Sequence, residues 1–391
     1  VATLLVINAG SSSLKFSGYE SDEGEPRLQF RGLLEGIGDA PHFVARDPAD
    51  AVLTERRWPT ATRLSHDAAF GVLREWLDAH VGVGALAAVG HRVVHGGSRF
   101  AAPVRVDQDV LRELEELVPL APLHQPNNLA IIRAVAAREP DLPQVACFDT
   151  AFHRTMSEVA QRFALPRALH DAGIRRYGFH GLSYEYIARR LRDLDPAIAA
   201  GRVIVAHLGA GASLAALRAG KSVDTTMSFT ALDGLPMGTR SGALDPGVML
   251  YLLQQRRMSP ERLAQLLYHE SGLLGVSAIS SDMRELEAST DARAREAIEL
   301  FVYRIAREVG ALAAILGGLD TLVFTAGIGE NSPGIRRRVC EEMRWLGVTI
   351  DADRNAAHRA VISAPASAIK VMVIPTDEER MIALHTSAVL G

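Results

Sequence analysis

A run of apolar, often β-branched residues that stops at a polar or glycine turn recurs along this chain, and it constrains the fold more than any other feature. Leu4-Leu5-Val6-Ile7 stops at Asn8-Ala9-Gly10, and Val145-Ala146-Cys147-Phe148 stops at Asp149-Thr150. Val203-Ile204-Val205-Ala206 meets His207-Leu208-Gly209-Ala210-Gly211, and Leu322-Val323-Phe324 meets Thr325-Ala326-Gly327-Ile328-Gly329-Glu330-Asn331. Val371-Met372-Val373-Ile374 meets Pro375-Thr376-Asp377-Glu378. With no polar alternation, such runs read as strands covered on both faces. Between them lie helical patterns. Ile298, Phe301, Val302, Ile305, Val309, Leu312 and Ile315 form one stripe over 292–315, and shorter patterns cover 110–117 and 260–267. Strands alternating with helices predict an α/β architecture. Open α/β sheets bind ligands beyond the carboxyl ends of their strands, where the polar turns stand.

Composition narrows the function classes. A chain of 391 residues suggests two or three domains. Its 42 Lys and Arg against 46 Asp and Glu leave a formal charge of −4, which argues against a nucleic-acid binder. Cys147 and Cys340 are too few for a disulfide framework or a four-Cys zinc site and sit among apolar neighbours, so buried free thiols are expected. The apolar stretch 309–319 is far shorter than the roughly 20 residues of a membrane span, and the first ten residues lack a basic signal-peptide start. A cytoplasmic location without membrane partners is the expectation.

A weak internal repeat links Val6-Ile7-Asn8-Ala9-Gly10-Ser11-Ser12-Ser13-Leu14 with Val205-Ala206-His207-Leu208-Gly209-Ala210-Gly211-Ala212-Ser213-Leu214. Each reads as a strand, a turn of small residues and a second strand. Chance and duplication explain this similarity equally well. Small residues let backbone N–H groups approach a phosphate. No P-loop is present, because Ala215 stands where the leading glycine before Gly220-Lys221-Ser222 would be.

Several polar clusters have chemistry within reach, and each also has a plain structural reading. Asn8-Ala9-Gly10-Ser11-Ser12-Ser13-Leu14-Lys15 is a phosphate cradle with a cation or a polar hairpin turn. Arg92, in His91-Arg92-Val93-Val94-His95-Gly96-Gly97, can fork onto a substrate anion or a structural carboxylate. His124 sits in Pro122-Leu123-His124-Gln125, where it is an anion donor or a core histidine. Asp149 suits metal or substrate orientation, or a helix cap. His180, between Gly178-Phe179 and Gly181, and Arg240, in Gly238-Thr239-Arg240-Ser241-Gly242, suit the equatorial oxygens of a transferring phosphoryl group. Ser281-Asp282-Met283-Arg284 and Gly327-Ile328-Gly329-Glu330-Asn331 read as loops around a nucleoside or as ordinary turns.

Taken together and in this order, these clusters resemble the acetate kinase family of acetate and propionate kinases, along nearly the whole chain. The resemblance implies two RNase H-like α/β domains of the sugar kinase, heat-shock ATPase and actin superfamily, closing an interdomain cleft over a nucleotide. The first would cover 1–149 plus about 382–391, and the second 150–381. It implies ATP-dependent phosphorylation of acetate or propionate, with Mg²⁺ or Mn²⁺ and ATP/ADP, in a cytoplasmic homodimer. Asp149, His180 and Arg240 match the catalytic positions. Arg92, Val94, Leu123 and His124 match substrate contacts, and Asn8 and Glu378 match metal positions. Lys15, His207, Leu208, Gly209, Ala210, Gly211, Asp282, Met283, Arg284, Gly327, Ile328, Gly329, Glu330 and Asn331 match nucleotide contacts.

The chain departs from the family pattern in places. Ala210 replaces a usual Asn, Ala243 an acidic residue, Gln125 an Asn and Ala231 a Pro. Leu182-Ser183-Tyr184 stands for Thr-Ser-His. A divergent, weakly catalytic paralogue that binds nucleotide or acyl phosphate as a sensor or partner protein is the alternative reading. A small carboxylic acid is already an anion at pH 7, so the acceptor needs no general base, only neutralisation of anion–anion repulsion.

Overall fold

The computed structural model describes residues 2–20, 24–60 and 62–391. The chain forms two compact units, Val1–Phe152 with Asp377–Gly391, and His153–Thr376. The helix Glu378–Leu390 is continuous and packs on the first unit's strands, so the returning segment of that unit starts at Asp377.

The first unit holds one sheet of β1 (Thr3–Ala9), β2 (Ser13–Glu20), β3 (Arg27–Glu35), β4 (His42–Arg46), β5 (Val52–Arg57), β6 (Leu86–Val93), β7 (Val104–Arg105) and β8 (Gln144–Phe148). Their order is β5-β4-β3-β2-β1-β6-β8-β7. Strand β1 pairs antiparallel with β2 and parallel with β6, which pairs parallel with β8. One face carries Phe16, Phe30 and Phe43 packed around Trp76 of the helix His66–His80. On β6, Gly90 leaves room for the closing helix: a Cβ there would stand 2.2 Å from Thr386 Oγ1 and 2.7 Å from Ile382.

The second unit's sheet comprises β9 (Arg202–Leu208), β10 (Ala212–Arg218), β11 (Lys221–Thr225), β12 (Thr321–Thr325) and β13 (Lys370–Val373), in the order β11-β10-β9-β12-β13. Strand β9 pairs antiparallel with β10 and parallel with β12, and β12 pairs parallel with β13. The pattern β3-β2-β1-β6-β8 in the first sheet therefore recurs as β11-β10-β9-β12-β13. The two repeated segments occupy the same central hairpin in each, as an RNase H-like core requires. The expected stripe folds as the helix Ala292–Leu316, with Phe301, Ile305 and Val309 buried against the sheet.

Both cysteines are buried, and burial pushes the Cys340 thiol up to about 12, so it stays protonated. Among the described residues, no helix is long and apolar enough to cross a membrane.

Candidate active site

In the first unit the polar turns gather around one arginine. Arg92 lies near the carboxyl end of β6, and Asp149 follows β8, its parallel neighbour. The guanidinium forks onto Asp149, with Nε 3.0 and 3.1 Å from the two carboxylate oxygens and Nη2 2.5 Å from Oδ2. Its Nη1 donates to Asn8 Oδ1 at 3.4 Å, and Glu378 Oε2 lies 3.8 Å from Nε. Burial works against the Arg92 charge, but the carboxylates of Asp149 and Glu378 more than offset it and raise its pKa. Burial also pushes the Glu378 carboxyl up to about 7. The Asp149 and Glu379 carboxylates push the same way, and Arg92 opposes them. Lys15 is exposed, pairs with Asn8 across the β1–β2 ladder, and its charge acts on Glu378.

Two amide side chains hold this cluster's frame, and the sequence reading did not assign them a role. Asn128 accepts from Val94 N and donates to Ala9 O, joining the ends of β6 and β1. Gln125 accepts from His95 N and donates to His95 O. The amide at 125 thus braces a backbone segment. Val94 is buried, Leu123 is exposed, and His124 precedes the helix Gln125–Arg138.

In the second unit His180 is not in a free loop. It adopts a left-handed backbone, φ 57°, at the N-cap of the helix Gly181–Leu194. Its ring stacks on His207 at 4.1 Å between centroids, and Nδ1 lies 2.8 Å from Ser213 Oγ. Behind it, His153 Nε2 donates to Phe179 O at 2.9 Å, and its Nδ1 lies 2.8 Å from Ser222 Oγ. Gly178 turns the chain here with φ 82°, and a Cβ would stand 2.6 Å from the His153 ring.

Arg240 anchors Nη1 on Ala231 O at 2.7 Å. Its Nη2 and His180 Nε2 converge on Gly211: a Cβ there would lie 3.1 and 3.2 Å from them. The adjoining turn residues Gly209 and Ala210 open a pocket of about 480 Å³. Asp282, Met283, Arg284, Gly327, Ile328 and Asn331 also line it, with Ser281, Glu287 and Ser332. Of the residues expected at the nucleotide, eight therefore share this wall: Gly209, Ala210, Asp282, Met283, Arg284, Gly327, Ile328 and Asn331.

The other expected nucleotide residues have different surroundings. His207 and Leu208 are buried, and His207 Nδ1 bonds Ser183 Oγ at 2.9 Å. Lys15 belongs to the first unit. Gly327–Asn331 is helical, part of Ala326–Asn331, rather than an open loop. Glu330 turns inward there and accepts from Ala326 N at 2.7 Å and Thr376 N at 3.1 Å. That clasp holds Ala326 in a left-handed backbone, and Gly329 is buried beside it. The buried Arg336 donates to Gly329 O and Glu330 O, satisfying carbonyls at the end of that short helix. Its own sequence neighbourhood, Arg336-Arg337-Arg338, gave no sign of this.

The donor set around Arg92 suits a hard cation: Asn8 Oδ1 and the Glu378 carboxylate are oxygens. Among the described residues no group of three His, Cys, Asp or Glu side chains could hold a metal. Magnesium needs no such cage, because it binds through one or two carboxylates together with substrate phosphates.

Comparison with known proteins gives the same assignment throughout the chain. Residues 3–384 match the Acetokinase family. An acetate kinase of Rhodopseudomonas palustris is 56% identical over 388 residues, covering 98% of this chain and 97% of that protein. An acetate kinase of Nitrobacter hamburgensis is 53% identical over 390 residues, 99% of this chain and 96% of that one. The crystal structure of Porphyromonas gingivalis acetate kinase superposes with a TM-score of 0.89 at 38% identity, covering 100% of both chains. A propionate kinase from Francisella tularensis gives 0.91 at 37% identity, with 98% and 99% covered. A fold shared at this level, with an identity of one half or more to curated relatives over almost every residue, places the chain in the acetokinase family.

Proposed function

We infer that this chain is an acetate kinase, catalysing the reversible ATP-dependent phosphorylation of acetate to acetyl phosphate. One observation carries the reading of the site. His180 and Arg240 converge on Gly211, and the same turn opens through Gly209 and Ala210 into a pocket large enough for a nucleoside. A nucleotide whose base and ribose fill that pocket sends its phosphates along the turn toward both side chains. There the two side chains offer hydrogen-bond donors, and Arg240 a positive charge, to the oxygens of the transferring group. In the first unit, Arg92 binds the acyl carboxylate. Asp149 serves to hold the guanidinium in place and is not needed as a proton acceptor, because acetate is already ionised. Val94, Leu123 and His124 complete the acyl side.

Asn8 and Glu378 would hold Mg²⁺ or Mn²⁺, which supplies charge neutralisation for the nucleotide phosphates. Metal nearby favours the ionised form of Glu378. The alternative of a non-catalytic binding protein is disfavoured by the curated relatives and by the joint presence of Arg92, Asp149, His180, Arg240 and Glu378. Trapping acyl phosphate with hydroxylamine, using purified protein, ATP, Mg²⁺ and acetate, tests the reading, and no hydroxamate with any short acid would overturn it.

We also propose that the protein works as a homodimer in the cytoplasm. The helix Pro246–Gln254 buries none of its residues, and Val248, Leu250 and Tyr251 are exposed. An apolar helix left uncovered is the mark of a protein interface. Leu250→Glu should shift the sedimentation of the protein to that of a monomer.

A further inference from the structure

His180 has a second layer of partners that the reaction does not itself require. Ser213, on β10, stands opposite His207 of β9 in the ladder and is fully buried. Its Oγ lies 2.8 Å from His180 Nδ1 and 2.5 Å from the hydroxyl of Tyr184. Tyr184 is one helical turn beyond His180 and fully buried. Three side chains thus form a line, Tyr184–Ser213–His180.

Proton counting gives this line a direction. A phenol is a more acidic donor than an aliphatic hydroxyl, so Tyr184 donates to Ser213 Oγ. Ser213 has one proton, and it then points to His180 Nδ1. A nitrogen that accepts carries no proton, so the imidazole proton sits on Nε2, the nitrogen beside Gly211 and Arg240 Nη2. An imidazolium would need both hydroxyls to turn round, with Ser213 accepting from Nδ1 and donating to Tyr184, against the greater acidity of the phenol. The groups facing the ring reinforce this. His207 of β9 stacks on it, Arg240 brings a positive charge to its Nε2 side, and Tyr184 approaches from its own helix. His153 stands behind Phe179 with its Nε2 proton committed to the Phe179 carbonyl.

We propose that Tyr184, acting through Ser213, is a positioning residue that keeps His180 neutral with its proton on Nε2, so that His180 presents an N–H donor to the phosphoryl group while Arg240 alone brings the full charge. This rests on the reading of His180 as a phosphoryl-facing group.

Tyr184→Phe keeps the buried ring and removes the hydroxyl, and Ser213→Ala cuts the same line at its centre. Nitrogen-15 NMR of histidine-labelled intact protein, read at His180, should show the Nε2–H tautomer in the wild type and a loss of that preference in both variants. Tyr184→Phe should lower kcat about tenfold and leave KM for ATP and acetate within about twofold. The acid limb of its kcat–pH profile should move to higher pH, because His180 becomes easier to protonate. The Tyr184→Phe/Ser213→Ala double variant should be no slower than Ser213→Ala, since both changes break one line. A wild-type His180 protonated on Nδ1 or charged at pH 7.5 overturns the proposal. So does an unchanged pH profile in Tyr184→Phe, or a double variant whose losses add. Failure of the kinase reading itself is seen separately, as absence of hydroxamate from the wild-type protein, and leaves the NMR comparison intact.

Discussion

Glu378→Gln should make the ligand-free protein more stable and less active, and the gain should depend on pH. Burial beside Asp149 raises the Glu378 pKa from 4.5 to about 7 in the folded chain. Between those values the folded state keeps a proton that the unfolded state releases, so stability falls as pH rises through this window. Below about pH 4.5 both states are protonated and Glu378 contributes nothing. Above about pH 7 the buried carboxylate costs about 3 kcal/mol, at about 1.36 kcal/mol for each tenfold change in acidity. Gln has the shape of the protonated acid and cannot ionise, so the variant escapes this cost. Thermal melts without Mg²⁺ or nucleotide should agree near pH 4.5 and separate by roughly 6–12 °C at pH 8, at about 2–4 °C per kcal/mol for a unit of this size. Added Mg²⁺ should stabilise the wild type and have much less effect on the variant. A melting difference that is the same at pH 5 and pH 8 would refute the raised pKa.

Other substitutions test separate parts of the site. Arg92→Leu should raise KM for acetate at least tenfold with a much smaller effect on KM for ATP. It also strands the buried Asp149, for which a loss of about 3–5 kcal/mol is expected in urea unfolding, so Arg92→Lys serves as the folded comparison. Ala210 is exposed at the rim of the nucleoside pocket, so Ala210→Asn has room for a donor near the phosphates. Steady-state kinetics at saturating Mg²⁺ should show kcat rising more than KM for ATP changes. Propionate should be a substrate with kcat/KM within about a hundredfold of acetate, since one methylene is worth only ~1–3 kcal/mol in such a pocket. Complete rejection of propionate would show that the acyl site is closed at the methyl group.

What the sequence made legible follows from what kind of force fixes each element. Strands β1, β8, β9, β12 and β13 are buried on both faces, so their apolar runs stand out in the letters alone. Strand β5 is almost wholly exposed and reads Val52-Leu53-Thr54-Glu55-Arg56-Arg57, and nothing in that composition marks it as paired with β4. The site shows the same division. Arg92, Asp149, His180 and Arg240 sit beside turns whose glycines and polar residues drew attention. The residues that hold them are ordinary letters inside regular elements. Ser213 lies within an apolar strand, Asn128 within a helix, and Tyr184 within a helix where an aromatic suggests only core. Their roles depend on contacts far apart in sequence, such as Asn128 with Ala9 and Tyr184 with Ser213. No local pattern encodes such a pairing. The inward turn of Glu330 was hidden for the same reason: one of its two backbone partners, Thr376, lies 46 residues away.

The divided course of the first unit sets an order of assembly. On the ribosome, the strands that carry Asn8 and Arg92, and β8 with Asp149 just after it, are complete long before the helix Glu378–Leu390 emerges. Synthesis of residues 153–376 occupies roughly 10–50 s of that interval at ~5–20 residues per second. Through that delay the surface of β6 around Gly90 has no Thr386 or Ile382 to cover it. The nascent unit thus waits with an apolar face open, and a chain clipped before residue 378 would never close it. The cluster around Arg92 would receive its second carboxylate last. The same short helix that seals the hydrophobic interior also delivers Glu378, so one late segment completes both the core and the site.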